Sequence, residues 1–97
     1  MTTLVAWDFE SEEIKPFPEY PPKPTMLGIY VDGQEPRYYS WGHPTGNNCT
    51  EEDAKAVLGW FWDNPEVELE AHNSAFDTAI AVKHWGFDLF RVGPVHD

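Results

Sequence analysis

Residues 5–11, VAWDFES, place two carboxylates, Asp8 and Glu10, in a run whose alternation and β-branched and aromatic content otherwise mark a buried strand. A period of two puts Val5, Trp7 and Phe9 on one face and Leu4, Ala6, Asp8 and Glu10 on the other. Asp8 and Glu10 therefore point the same way, with Cα atoms about 6.6 Å apart after two strand rises. A carboxylate beside a core is costly unless it is paired, hydrogen-bonded or bound to a metal. The strand is thus the point at which fold and chemistry meet.

Outward from it, residues 15–24, KPFPEYPPKP, hold five prolines and exclude helix or central strand, so they read as an extended surface loop. A PxxP ligand for an aromatic groove is the alternative reading. Thr25 to Val31 and Arg37 to Trp41 read as a second and third strand, with Asp32-Gly33 as the hairpin signal between them. Thr50 then caps a helix whose first turn holds Glu51, Glu52 and Asp53, which suits the helix dipole better than it suits a metal. Ala54, Val57, Leu58 and Phe61 form its buried stripe, Trp60 and Trp62 flank that stripe, and Asn64-Pro65 ends it. A fourth strand runs from Val67 to Ala71, and a second helix from about Ser74 to His84 before Gly86. A short strand is expected near Phe90–Val92. Three strands before any helix argue against a simple parallel doubly wound sheet. The expected fold is an α/β mixed sheet with helices flanking its faces.

Ninety-seven residues make one domain with a modest core. Five tryptophans, and 41% hydrophobic residues, exclude a disordered chain. No apolar run approaches a membrane span, and no basic-then-apolar leader opens the sequence. Cys49 is the sole cysteine, which leaves no disulfide framework or cysteine-based zinc site and suits a reducing cytoplasm. The net charge of −11 argues against a basic nucleic-acid-binding surface. Either those acids keep the chain soluble, or some of them collect divalent cations that then face a polyanion.

The second helix adds a third carboxylate. Asn73 and Asp77 lie four apart on one face, continued by Ala81 and His84, while Phe76, Ala79 and Ile80 can face the core. If the first strand runs beside this helix, Asp77 joins Asp8 and Glu10. Converging carboxylates repel one another without a counterion, and oxygen-only sets select hard cations such as Mg²⁺ or Mn²⁺. The bland alternative is two solvent-facing acids on a strand and one on a helix.

Asp8-Phe9-Glu10, followed by Ala71-His72-Asn73-Ser74-Ala75-Phe76-Asp77, resembles the first two motifs of the DEDD-type 3′–5′ exonucleases. The likeness is greatest to the proofreading exonuclease domain of phage and bacterial DNA polymerases of the polymerase I type. It runs from Leu4 to Asp97, where Val95-His96-Asp97 looks like the start of the family's next block. The resemblance implies a ribonuclease H-like fold: a five-stranded mixed sheet with helices on both faces. It implies two divalent cations, Mg²⁺ or Mn²⁺, with Asp8 bridging them, Glu10 on the one that activates water, and Asp77 on the second through water. Asn73 and Phe9 would contact the single-stranded DNA 3′ end, with Asn73 also placed to cap its helix, and RNA is the lesser alternative. Phe76 would anchor the core.

One departure bears on activity. The family pattern needs a fourth carboxylate, in Tyr-x-x-x-Asp or His-x-x-x-Asp on a later helix. The internal string His84-Trp85-Gly86-Phe87-Asp88 fits only in letters, because it follows Asp77 too closely and contains a helix-stopping glycine. The expectation is therefore a C-terminally incomplete domain over residues 1–97, weak or inactive alone, whose remaining half lies elsewhere and whose uncovered sheet face favours self-association. His43, His84 and His96 show no ligand spacing, and His72 reads as a strand-end residue. The rival reading is a non-catalytic exonuclease-like module that binds a partner through the proline loop and the tryptophan helix.

Overall fold

A computed structural model describes residues 2–71, 73–88 and 95–96. In chain order its elements are β1 (Thr3–Ser11), β2 (Pro24–Val31), β3 (Arg37–Ser40), α1 (Glu51–Trp62), β4 (Val67–Ala71), α2 (Ser74–Trp85) and β5 (Val95–His96). The sheet runs β3-β2-β1-β4-β5. β1 pairs antiparallel with β2 and parallel with β4, so the sheet is mixed. The two-residue β5 is parallel to β4. The strand expected near Phe90–Val92 lies outside the described residues.

The alternation in β1 is what organises the layers. Val5, Trp7 and Phe9 are buried, whereas Leu4 and Glu10 are exposed and Ala6 and Asp8 half-buried. Register carries this division across the sheet. Ala6, Asp8 and Glu10 stand opposite Tyr30, Gly28 and Met26 of β2, and Gly28 stands opposite Tyr38 of β3. On the parallel side, Leu4 and Ala6 are level with Glu68 and Glu70 of β4.

Both helices cover the same face, and aromatic rings fix them there. Trp62 of α1 meets Trp7 edge-on at 5.7 Å between centroids, and Trp85 of α2 meets Phe9 at 5.0 Å. Such crossed pairs add roughly 0.5–1.5 kcal/mol each beyond the area they bury. The described helices thus flank one face of the sheet. Among the described residues, the face bearing Asp8 and Glu10 has no helix on it.

α1 starts where its cap demands. Thr50 Oγ1 accepts from the Asp53 N–H, and an Asp53 carboxylate oxygen accepts from the Thr50 N–H, both at 3.1 Å. Its buried line is Ala54, Leu58 and Trp62, with Val57 and Phe61 only partly buried, so the stripe is turned toward Trp62 from its expected centre. Trp60 stays 65% exposed. α2 ends at Gly86, whose φ of 71° is left-handed and whose N–H reaches Val82 O at 3.1 Å.

The proline segment is exposed through Tyr20, while Pro21, Pro22 and Pro24 are buried and Pro24 opens β2. The far end of α2 holds it: Lys83 Nζ donates to Pro18 O and Tyr20 O at 3.1 and 3.2 Å, and His84 Nε2 lies 2.8 Å from Pro21 O. His84 is therefore a tether. No described helix is long and apolar enough to cross a membrane.

Candidate functional site

β4 ends at Ala71, whose register partner on β1 is Trp7. Beyond that pair β1 continues for four residues, from Asp8 to Ser11, with no β4 partner. The N–H of Phe9, between Asp8 and Glu10 in the chain, is taken by Asp77 Oδ1 at 3.1 Å. Asp77 Oδ2 accepts the N–H of Asn73 at 3.0 Å. One carboxylate thus ties the start of α2 to the acidic strand, and it is 2% exposed. Hydrogen bonds to a charged acceptor contribute about 1.5–3 kcal/mol each.

This changes two expectations about α2. Asp77 and Ala81 belong to its buried face with Ile80 and Trp85, while Phe76 and Ala79 are only partly buried. Asn73 is the N-cap by position, but its side chain makes no capping hydrogen bond. The expected roles are reversed, since the acid in the first turn holds the cap residue's backbone. Asn73 is exposed at the carboxyl ends of β1 and β4, where ligands commonly approach parallel strands.

Asp8 and Glu10 lie on the open face. Asp8 faces Gly28, and a Cβ built there would come within 2.6 Å of Asp8 Oδ1. The missing side chain gives the carboxylate room to lean over the β2 backbone. Asp77 sits at the opposite edge of β1, so the three acids surround one stretch of strand from different sides. Among the described residues no three His, Cys, Asp or Glu side chains are grouped closely enough to hold one metal ion as they stand. Phe9 is in the core, its ring crossed against Trp7 and Trp85. Phe76 is partly buried, with its ring 6.3 Å from that of Tyr20.

Sequence reasoning missed the neighbours of Asp8. Tyr30 and Tyr38 share a hydroxyl–hydroxyl hydrogen bond of 3.0 Å, and their rings cross at 88°. That bond, with desolvation and the negative charges of Tyr38 and Asp8, pushes the Tyr30 phenol up to about 12. Tyr30 is therefore a neutral hydroxyl at physiological pH. A hollow of about 300 Å³ lies beside it, lined by Ala6, Trp7, Asp8, Tyr30 and Glu70. The signal for these residues was available in the hairpin, because the β2–β3 pairs are symmetric about Gly33 and place Tyr38 level with Gly28.

Other polar groups join the elements. Glu51 Oε2 accepts from Trp85 Nε1 at 2.9 Å and so joins the two helices. Burial, and the nearby Asp53, push the Cys49 thiol up, away from the reactive thiolate form. Asp88 contributes its main-chain oxygen to Trp62 Nε1 at 2.9 Å. Comparison with protein-family models and with curated proteins finds no match for this chain.

Proposed function

We propose that this chain is a ribonuclease H-like domain of the 3′–5′ exonuclease type, acting on single-stranded DNA ends with two Mg²⁺ or Mn²⁺ ions. The observation that carries the reading is the hydrogen bond from the Phe9 N–H to Asp77 Oδ1. It joins the two motifs of the resemblance, 68 residues apart, at the backbone between the two acids of the first.

The donor set fits hard cations, being all carboxylate oxygen, with Gly28 leaving space beside Asp8 Oδ1. Asp8 and Glu10 would hold the ions from the open face, and Asp77 would act through water, since both its oxygens already accept a backbone N–H. Such ions, when bound, offset phosphate charge and lower the pKa of water for attack on a phosphodiester. The chain's own contribution is positional. Asp77 fixes α2 against β1, which sets exposed Asn73 at the strand ends, where it can contact the backbone of an incoming strand. His84 bonds Pro21 and Asp88 lies beyond the Gly86 stop, so neither supplies the fourth carboxylate motif. A further segment or partner would supply it, and activity of these residues alone would be weak.

The test is hydrolysis of a 5′-labelled single strand. Slow, metal-dependent shortening from the 3′ end, lost in Asp8→Ala, is expected. Turnover that persists in Asp8→Ala overturns the assignment, and vigorous turnover by this chain alone overturns the need for a fourth carboxylate.

One observation favours a second reading, a non-catalytic module that binds a partner. Asp77 has a complete structural role without any metal, because it satisfies two backbone donors. Metal binding that does not depend on Asp8 would favour that reading.

A further inference from the structure

The open face next to Asp8 carries two aromatic rings that the core does not use. Tyr30 is 38% and Tyr38 49% exposed, although Tyr30 comes from a strand in which Leu27 and Ile29 are fully buried. Their hydroxyl–hydroxyl bond and crossed rings, with centroids 6.0 Å apart, hold them as one unit. One hydroxyl donates to the other, so the accepting hydroxyl keeps its own proton to offer outward. Gly28 leaves the row Asp8–Gly28–Tyr38 without a central side chain, and Asp8 Oδ1 leans into that gap. Asp8 and the Tyr30 ring border one hollow, lined also by Ala6, Trp7 and Glu70, and Tyr38 is held against Tyr30 by their shared bond.

The chemistry of this hollow selects its occupant. Asp8, Glu10 and Glu70 repel phosphate groups, but their oxygens accept N–H donors. The tyrosine faces stack on flat π systems. A neutral, planar ring with N–H groups on its edge satisfies both, and about 300 Å³ has room for one such ring. We infer that Tyr30 and Tyr38 form a seat for an unpaired nucleobase, so that a terminal base of a single DNA strand stacks there while its backbone passes Asp8 and Glu10. The inference rests on the exonuclease reading for the strand's identity and adds the residues that distinguish a frayed end from a paired one.

The experiment is fluorescence anisotropy of a labelled hexathymidylate in Ca²⁺, repeated with the same oligonucleotide bearing an abasic 3′ end. Stacking on one aromatic platform predicts that Tyr30→Leu/Tyr38→Leu weakens binding about tenfold or more. Tyr30→Phe/Tyr38→Phe, which keeps the rings, should bind within about threefold of the parent chain. The parent should lose about tenfold on the abasic end, whereas the leucine pair should not distinguish the two ends. The abasic comparison on the parent needs no variant to fold. Equal binding of both ends by the parent, or no binding at all, overturns the seat. A leucine pair that binds like the parent also overturns it, and if Mn²⁺ binding still depends on Asp8 the exonuclease reading survives. Tyrosine-dependent, base-dependent binding without Asp8-dependent Mn²⁺ binding supports the seat and removes the exonuclease reading.

Discussion

Asp77 shows how backbone donors support a buried carboxylate. Its two oxygens meet the N–H groups of Phe9 and Asn73, so the cost of burial is offset by charge-assisted bonds to the backbone. Replacing it with alanine leaves both donors unmatched. Asp77→Ala should lower unfolding stability by about 2–4 kcal/mol in urea titration, at roughly 1–3 kcal/mol per lost donor partner. A loss below about 0.5 kcal/mol would mean that the two bonds are not formed in solution. Tyr30 supplies a pH test of the open face. Its phenol, pushed up to about 12 chiefly by the Tyr38 hydroxyl, should ionise above the ordinary value of 10.0 in ultraviolet titration. Because the folded value is raised, its contribution to stability is complete below the ordinary value of 10.0 and is lost as pH rises toward about 12. Tyr38→Phe should return Tyr30 toward the ordinary range, and an unchanged titration would contradict the hydrogen-bonded pair.

Elements were the most legible part of the sequence, for identifiable reasons. Alternation in Val5–Trp7–Phe9 and Val67–Leu69–Ala71 gave both parallel strands their buried faces, and Pro65 and Gly86 marked the helix ends. The capping box at Thr50 was readable as Thr followed three residues later by an acid. Thr50→Ala should destabilise the protein by about 1 kcal/mol through that cap, a shift measurable in thermal unfolding monitored by circular dichroism. No shift would mean that Asp53 alone holds the helix start. The buried face of α2 was less legible. Periodicity offered several faces, and the choice was made by where β4 stops, which leaves the Phe9 N–H for Asp77 to accept. A strand end determined a helix face, and no pattern within the helix records that.

For the molecule as a whole, the mixed sheet was expected from strand order, but the side taken by the helices was not. Trp62 and Trp85 bring both helices onto Trp7 and Phe9, because those rings complete one aromatic cluster. The opposite face is left with Asp8, Glu10, Glu70 and the tyrosine pair. A chain of net charge −11 thus concentrates acids and rings on a surface its described helices do not cover. The acids at positions 8, 10 and 77 were found from spacing, and the resemblance supplied a role for them. Tyr30, Tyr38 and Gly28 were not, since their meaning depends on register across three strands. The central claim is that the Asp8 end of β1 is a divalent-cation site. Titration with Mn²⁺, followed by the loss of its free paramagnetic resonance signal, tests it most directly. The account predicts binding that Asp8→Ala removes and that Thr50→Ala leaves intact; no binding, or binding unchanged in Asp8→Ala, would contradict it.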